Sequence, residues 1–315
     1  MTMKNIKSLL TFEDYSPDEI WKLIKYSIYF KKIRKNSIKQ TQELRSKTIG
    51  IIFEKPSTRT RASFATAVYE MGGFPLIYNW NELQLGRGEP IKDTARVLSR
   101  YHDLLAARVY SHDTLIELEK YSSVPVVNLL SDKYHPLQAL ADYMTIYENK
   151  RRIKGLNLVF IGDGRDNVFN SLAIVGAKLG VNIRLVTHSD YLPTPSFEKY
   201  IRSITRGNFE IYTEPKLALK DADVIYTDVY VSMGQERERK KRLRDFLPKY
   251  QVNQELLSLV EKDHYIFMHC LPAIRGEEVV DEVIESKYSV VFDQAENRLH
   301  TSKAVLYYLL GGKNV

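Results

Sequence analysis

Short apolar runs alternate with helical patterns along the whole chain, and this alternation restricts the possible folds more than any other feature. The first half contains the strand candidates KTIGIIF (47–53), FPLIYN (74–79), LLAARVY (104–110) and PVVNLL (125–130). The second half contains LNLVFIGD, NIRLVTH, FEIYTE, DVIYTDVY, YIFMHC and SVVFDQ. Strands that alternate with helices form right-handed βαβ units, whose strands are parallel. The sequence therefore predicts an α/β fold with parallel sheets.

The two arrays of strands also predict two domains. A chain of 315 residues suits two domains of about 150 residues better than one core. We expect two doubly wound parallel-sheet domains, with residues 1–150 in the first and 151–294 in the second. Ligands of such sheets bind at the carboxyl ends of the strands, so we expect an active-site cleft between the domains. A C-terminal helix within residues 295–315 is predicted to return to the first domain.

Charge and composition exclude several classes of protein. No apolar run approaches the ~20 residues that a membrane helix needs, and the N-terminus lacks the hydrophobic segment of a secretory signal. The single cysteine, Cys270, excludes an internal disulfide and fits a reducing compartment, so we expect a cytoplasmic protein without a membrane partner. The net charge is +7, but the basic run at 237–244 alternates with acidic residues. Such alternation is typical of a solvated helix face, so no nucleic-acid partner is expected.

The segment FEKPSTRTR (53–61) is the most informative motif, because a strand runs directly into a helix there. A helix N-terminus carries unpaired N–H groups and a partial positive charge. Arginines at Arg59 and Arg61 are unfavourable in that turn unless an anion binds there. The hydroxyl groups of Ser57, Thr58 and Thr60 would complete a phosphate site. The alternative is a serine-capped helix with two exposed arginines.

A second candidate for a phosphate loop is GDGRDN (162–167). It begins like a dinucleotide-binding fingerprint, but Asn167 occupies the position of the third glycine. A nicotinamide-linked dehydrogenase is therefore only a minor alternative. Asn167 is better interpreted as a polar side chain at a helix start, facing the predicted cleft.

Three motifs together, PSTRTR (56–61), HPLQALAD (135–142) and HCLP (269–272), resemble the carbamoyltransferase family in order and spacing. The resemblance covers essentially the whole chain, including QLGRGEPIKDTARVLSRY (84–101) and FDQAENRLHTSKAVL (292–306). The loop DVYVSMG (228–234) and the cysteine of HCLP resemble the ornithine branch of that family. The resemblance implies transfer of a carbamoyl group from carbamoyl phosphate to the side-chain amine of L-ornithine, giving L-citrulline and phosphate. It implies no cofactor and no metal.

The resemblance also assigns residues to each substrate. For carbamoyl phosphate these are Ser57, Thr58, Arg59, Thr60, Gln84, Arg108, His135, Gln138, Cys270, Leu271 and Arg298. For ornithine they are Asn167, Asp228, Ser232 and Met233, and the catalytic assignments are Arg108, His135, Asp228 and Cys270. Gln84 matches a family residue that reaches the site of a neighbouring subunit, which implies a homotrimer or an assembly of trimers. Hydrogen-bond donors from this set would stabilise the oxyanion that forms when the amine attacks the carbamoyl carbon.

Other interpretations of these residues remain open at this point. His135 precedes Pro136 at a helix start and could be a packed ring, and Cys270 ends an apolar strand where cysteines often only pack. The acceptor could be another amine, such as putrescine, lysine or N-acetylornithine. Asp166 stands where many relatives have a second asparagine, which bears on this choice. A non-catalytic protein that binds nucleic acid through its basic surface is an alternative of a different class.

Overall fold

The computed structural model of the protein describes residues 7–36, 40–232 and 234–311. Within these ranges, no helix is both long enough and apolar enough to cross a membrane. The described chain divides into two compact units, within Met1–Ala141 plus Glu296–Val315 and within Asp142–Ala295. We refer to them as unit 1 and unit 2.

Strands and helices alternate through both units. The strands are β1 Thr48–Phe53, β2 Phe74–Asn79, β3 Leu104–Arg108, β4 Val126–Leu130, β5 Asn157–Ile161, β6 Asn182–Val186, β7 Phe209–Tyr212, β8 Val224–Thr227 and β9 Ile266–His269. The helices are α1 Pro17–Lys35, α2 Arg59–Glu70, α3 Ile91–Leu98, α4 His112–Tyr121, α5 Pro136–Lys150, α6 Asn167–Leu179, α7 Pro195–Ile204, α8 Pro215–Leu219, α9 Arg239–Phe246, α10 Gln254–Leu257, α11 Asp281–Ile284 and α12 Val291–Leu306. Short 3₁₀ helices span Trp80–Glu82, Gln84–Arg87, Ser189–Tyr191 and Glu236–Glu238, and a π-helical turn spans Tyr307–Gly311.

Unit 1 contains a four-stranded sheet in the order β2-β1-β3-β4, and each pair of neighbouring strands is parallel. The strand order reverses between β1 and β3, because β2 and β3 pair with opposite edges of β1. The strand residues are almost entirely buried in β1, β3 and β4. The loops after β1 and β3 therefore leave the sheet side by side, at the position where open α/β sheets bind ligands.

Unit 2 contains a five-stranded sheet in the order β7-β6-β5-β8-β9, again with parallel pairs throughout. Here the order reverses between β5 and β8. The loops after β5, β8 and β9 are neighbours at the carboxyl edge of this sheet. They carry Asp166, Asp228 and Cys270.

The predicted α/β class with two parallel sheets is confirmed. One predicted strand, SVVFDQ (289–294), is wrong. Ser289 forms only an isolated bridge with Phe267, and α12 begins at Val291, four residues before the predicted helix. The apolar pair Val290–Val291 suggested a strand, but Val291 is a buried helical residue of the unit 2 core.

The predicted domain boundary near residue 150 stays a prediction, and the division between the two compact units passes through two helices. It falls inside α5, after Ala141, and inside α12, after Ala295. Tyr143, the second α5 residue after the boundary, is fully buried and donates a hydrogen bond to the carbonyl oxygen of Leu172 in α6 at 2.9 Å. The last turns of α5 therefore pack with unit 2. No loop or change of composition marks the division in the sequence.

Polar contacts hold the part of α12 after Ala295 in unit 1. Lys31 of α1 donates to Asn297 Oδ1 at 2.8 Å, and the fully buried ammonium group of Lys303 lies 2.6 Å from Glu70 Oε2 of α2. These contacts lie on both sides of Arg298 in sequence. They fix the helix that carries this predicted site residue.

Candidate active site

The loop between β1 and α2 and the first two residues of α2, together residues 54–60, are called the phosphate loop below. Its helix begins without an acidic residue in the first turn, so no side chain there neutralises the positive end of the helix dipole. Ser57 Oγ accepts a hydrogen bond from the backbone N–H of Thr60 at 3.3 Å, and Thr58 is exposed next to it. The N-terminus of α2 therefore keeps the properties of an anion site.

Arg61 does not support the phosphate argument that the sequence suggested. Its guanidinium group donates to Asn79 Oδ1 and lies over the ring of Phe53, 4.8 Å from the ring centroid. These contacts explain a positive residue in the first turn of α2 without an anion. Arg59 lies close enough to His135 to lower its pKa.

Five of the predicted site residues form one buried group in unit 1. Arg298 Nη1 donates to Gln138 Oε1 at 2.6 Å and lies 3.4 Å from His135 Nε2. Thr60 Oγ1 lies 3.4 Å from Arg298 Nη2 and 3.5 Å from Arg108 Nη1. All five side chains belong to residues that are at most 7% exposed. Two guanidinium groups are thus buried together beside the Thr60 hydroxyl.

The histidine of this group is neutral. Burial lowers the pKa of His135 well below 6.5, and the charges of Arg298, Arg108 and Arg59 lower it further. A neutral imidazole can accept and donate hydrogen bonds, but it does not repel the neighbouring guanidinium groups. His135 can therefore act as a neutral hydrogen-bonding partner and not as a cationic acid.

The remaining residues predicted for the phosphate substrate lie elsewhere. Gln84 is exposed on the 3₁₀ helix Gln84–Arg87 after the edge strand β2, outside the buried group. Cys270 and Leu271 belong to unit 2. Unit 1 thus contains the buried group of Thr60, Arg108, His135, Gln138 and Arg298, whereas Gln84 lies at its surface.

Unit 2 brings together two carboxyl groups and the thiol at the ends of neighbouring strands. Asp166 caps α6 by accepting from the N–H groups of Val168 at 2.7 Å and Phe169 at 3.0 Å. Cys270 Sγ donates to Asp228 Oδ1 at 3.2 Å. Asn167, the first residue of α6, is partly buried beside this cap.

Burial controls the protonation of these groups. It raises the pKa of Asp166 well above 3.8, and the negative charge of Asp228 adds to this effect. Burial also raises the pKa of Asp228. The pKa of the Cys270 thiol is raised well above 9, first by burial and then by Asp228 and Asp166. The cysteine is consequently a hydrogen-bond donor to Asp228 rather than a thiolate nucleophile.

The turn that carries Cys270 is held by a buried histidine and glutamate that the sequence analysis did not identify. His269 Nδ1 accepts from the N–H of Leu271 at 2.9 Å, and His269 Nε2 lies 3.0 Å from Glu278 Oε1. Because Nδ1 accepts, Nε2 carries the proton and donates it to the glutamate. Both side chains are fully buried. They support Leu271 in a left-handed conformation, with φ at 59°, which a residue other than glycine adopts only at a cost.

The loop after β8 carries the other residues assigned to ornithine. Ser232 N–H donates to Gln235 Oε1 at 3.0 Å, and Gln235 N–H donates to the carbonyl oxygen of Ser232 at 3.0 Å. Met233 lies outside the described residues. The α9 helix that follows is attached to the loop after β5 through a buried ion pair between Arg242 and Asp163, with side chains only 5% and 6% exposed.

Two groups of side chains in the described ranges bring possible metal-ligand atoms within 4.8 Å of one another: Asp228, His269 and Cys270, and His188, Asp190 and Asp245. In the first group both ring nitrogens of His269 already have hydrogen-bond partners. In the second, Lys241 donates to both carboxylates, at 2.8 and 2.7 Å. Protein contacts therefore satisfy both groups, and a metal ion would have to displace them.

Family models match both parts of the chain. One described as "Aspartate/ornithine carbamoyltransferase, carbamoyl-P binding domain" matches residues 7–148. One described as "Aspartate/ornithine carbamoyltransferase, Asp/Orn binding domain" matches residues 154–309. The chain belongs to the aspartate/ornithine carbamoyltransferase family. The resemblance that the three sequence motifs suggested is thereby confirmed.

Individual relatives are similar over nearly the full length. A protein of Pyrococcus horikoshii named ornithine carbamoyltransferase is 52% identical over 309 residues, which is 97% of this chain and 96% of that protein. The ornithine carbamoyltransferase structure from Pyrococcus furiosus superposes with a TM-score of 0.92 at 51% identity, covering 98% of both chains. The enzyme structure from Thermus thermophilus has a TM-score of 0.86 at 40% identity and covers 96% of this chain and 98% of its own.

Proposed function

We propose that this protein transfers the carbamoyl group of carbamoyl phosphate to the side-chain amine of L-ornithine, giving L-citrulline and phosphate. The observation that carries the proposal is the buried group of Thr60, Arg108, His135, Gln138 and Arg298. The two buried guanidinium groups lie next to Thr60 in the first turn of α2, and their charge together with the positive end of that helix favours the binding of an anion. A phosphorylated substrate supplies that anion, and the relatives described above are named for the same reaction.

Unit 1 supplies the groups for carbamoyl phosphate. The N-terminus of α2, with Ser57, Thr58 and Arg59, would hold the phosphate. Arg108 and the neutral His135 would donate to the carbamoyl oxygen, where negative charge develops as the amine attacks. Fixed donors of this kind lower barriers by several kcal/mol in other enzymes. The bond between the carbamoyl carbon and the phosphate oxygen then breaks, and phosphate leaves with the electron pair beside Arg298.

Unit 2 supplies the groups for the amino acid. Asp228 and Asn167 would bind the α-amino acid end together with Ser232 and Met233. The amine must be uncharged to attack, and once the new C–N bond has formed its proton passes to the departing phosphate. Asp228, whose carboxylate accepts from the Cys270 thiol at 3.2 Å, would orient that amine. We therefore assign catalytic roles to Asp228 and Cys270 on one side of the reaction, and to Arg108 and His135 on the other.

The direct test is formation of citrulline from carbamoyl phosphate and ornithine by the purified chain. Putrescine, lysine, aspartate and N-acetylornithine serve as competing acceptors. Turnover of ornithine alone is expected. Turnover of another amine and not of ornithine would contradict the choice of acceptor, and no turnover with any amine would contradict the proposed function.

We propose further that the protein assembles as a trimer or as several trimers. β2 forms one edge of the unit 1 sheet, and its residues Phe74 and Ile77 are 61% and 37% exposed. Tyr69 on α2 is 60% exposed as well. An apolar edge of this kind is normally covered by a partner. A second copy of this chain would cover it and would bring Gln84, just after β2, to a neighbouring site.

Light scattering and a mixing experiment test this assembly. A trimer has a mass of about 110 kDa, three times the chain mass of 36.6 kDa, whereas Phe74→Glu should give a folded monomer. If Gln84 serves a neighbouring site, inactive Gln84→Ala and His135→Ala chains should regain activity when dissociated and reassembled together. Failure to regain activity in mixed trimers would place Gln84 in the site of its own chain.

We place this reaction in arginine biosynthesis, because a Pyrococcus furiosus relative that is 51% identical is named an anabolic enzyme. A cytoplasmic location stays a prediction, and it is supported by the single cysteine, which fits a reducing compartment. Isotope tracing from labelled ornithine in the source cell would test the direction of the pathway. Label in citrulline and arginine supports it, and the absence of label from both contradicts it.

A further inference from the structure

The segment of residues 109–112, which follows β3 and ends at the first residue of α4, connects two loops of the proposed carbamoyl-phosphate site. One is the phosphate loop, and the other is the histidine loop, residues 131–135, which ends at His135. The backbone of the segment is bound on both sides. Tyr110 N–H donates to Glu54 Oε2 at 2.7 Å, and Tyr110 C=O accepts from Asp132 N–H at 3.1 Å. The segment therefore links the position of one loop to the position of the other.

The Tyr110 side chain acts on the phosphate loop. Its ring lies beside the ammonium group of Lys55, 4.3 Å from Nζ to the ring centroid. Lys55 is only 5% exposed, whereas Tyr110 is 48% exposed, so the ring is not a core residue. An aromatic face stabilises an ammonium group without cancelling its charge, as a carboxylate would. The contact can therefore hold Lys55 and its loop in place.

His112 acts on the histidine loop. Its Nδ1 lies 2.9 Å from Ser131 Oγ, and its backbone N–H donates to Asp132 Oδ1 at 2.7 Å. Ser131 in turn accepts from Tyr134 N–H at 3.2 Å and donates its own N–H to Tyr134 C=O at 3.0 Å. The His112 and Tyr134 rings pack edge to face, with centroids 5.0 Å apart. The turn that leads directly into His135 is thus built around the His112 side chain.

We propose that Tyr110 and His112 are positioning residues that hold the phosphate loop and the histidine loop in fixed positions relative to each other. Tyr110 sets the affinity of the phosphate loop for its anion, and His112 sets the orientation of His135. This inference rests on the proposed function. It assigns separate effects to two residues that do not touch the reacting atoms.

Matched pairs of substitutions separate these effects from a general loss of structure. Tyr110→Leu removes the aromatic face and Tyr110→Phe keeps it, while both preserve the backbone hydrogen bonds. His112→Leu removes the hydrogen bond to Ser131, whereas His112→Asn keeps a polar group near the Nδ1 position. The measurements are the Kd for inorganic phosphate by calorimetry, kcat, and KM for both substrates. Thermal unfolding is recorded for each variant.

For Tyr110→Leu we expect the Kd for phosphate and the KM for carbamoyl phosphate to rise about threefold to tenfold. Its kcat and its KM for ornithine should stay near the wild-type values, and Tyr110→Phe should match wild type. For His112→Leu we expect kcat to fall about tenfold or more, because a small displacement of a reacting group is costly. Its phosphate Kd should stay unchanged, and His112→Asn should recover most of kcat.

Three results distinguish the possibilities. Equal phosphate Kd values in Tyr110→Leu and wild type, or equal kcat values in His112→Leu and wild type, would overturn the inference while wild type still forms citrulline. Parallel changes of all constants in proportion to lost thermal stability would also overturn it, since they indicate a purely structural role. Wild-type protein that forms no carbamoylated product would instead refute the proposed function.

Discussion

The ion pair between Arg242 and Asp163 should be the most sensitive point of unit 2. It joins α9, which follows the Ser232 loop, to the loop after β5. We consider Arg242→Met, which keeps much of the volume and removes the charge. The substitution leaves the Asp163 carboxylate without its buried partner. It also removes the hydrogen bond from Arg242 Nε to the carbonyl oxygen of buried Tyr230.

The size of the effect follows from these contacts. Removing one partner of a buried ion pair costs roughly 3–5 kcal/mol. One hydrogen bond still stabilises the Asp163 carboxylate in the variant, because its Oδ1 accepts from Arg165 N–H at 2.8 Å. The Tyr230 carbonyl oxygen loses a hydrogen-bond donor, and this loss adds about 1 kcal/mol to the destabilisation. We therefore expect a loss of about 4 kcal/mol in the free energy of unfolding, or about 10 °C in Tm for a unit of this size.

Thermal and urea unfolding followed by circular dichroism measure this loss. Asp163→Asn and the double variant complete a double-mutant cycle, and the double variant should be less destabilised than the two single losses added, by at least about 2 kcal/mol. Arg244→Met is the matched control, because Arg244 lies on the same helix but its side chain is 75% exposed; it should change stability by less than about 0.5 kcal/mol. A loss below about 1 kcal/mol for Arg242→Met, or simple additivity in the cycle, would refute the reasoning.

Three further predictions concern side chains described above. Cys270→Ala should lower the rate of citrulline formation by more than about tenfold at unchanged Tm, and a smaller loss would show that the thiol is dispensable. Glu278→Gln should destabilise the protein by about 1–2 kcal/mol in urea, because it weakens two buried hydrogen bonds to a charged acceptor; unchanged stability would mean that His269 is held by other contacts. Burial lowers the pKa of His300 from 6.5 to about 4. Between pH 6.5 and pH 4 this histidine is protonated in the unfolded chain but not in the folded one. The free energy of unfolding should therefore fall by about 3 kcal/mol in total as the pH drops through this range. A pH series of unfolding curves should show a weaker decline for His300→Gln, and identical slopes would contradict the assignment.

The parts of the fold that could be predicted depend on local patterns. β2 was predicted with its observed ends because the apolar run FPLIYN (74–79) lies between Gly73 and Trp80. The run at 289–294 led to a wrong strand prediction because the same pattern also suits a buried helix start. The α1 helix was not identified, although Ser16 and Glu19 form a capping box that a search for S-x-x-E would have found.

The candidate site was predictable only where a residue belongs to a motif. Thr60, His135 and Arg298 lie in segments that resemble the family, and the structure places them in one buried group. His112 and Ser131, like Arg242 and Asp163, are pairs separated by 19 and 79 residues. No spacing in the sequence connects such pairs, because they meet only through the order of the strands. The structural role of Arg61 could not be predicted for the same reason, since Asn79 approaches it from the neighbouring strand β2.

The position of Thr60 between two arginines determines which of its atoms can meet a ligand. A hydroxyl oxygen has two lone pairs and one hydrogen. Arg108 and Arg298 both direct N–H groups at Oγ1, so the lone pairs point toward the protein. The hydroxyl hydrogen is then left to point away from both cations, and their field makes it more acidic. Thr60 therefore presents a directed proton, and it would select for an oxygen atom with a free lone pair at that point and against an N–H or a bound water that must donate.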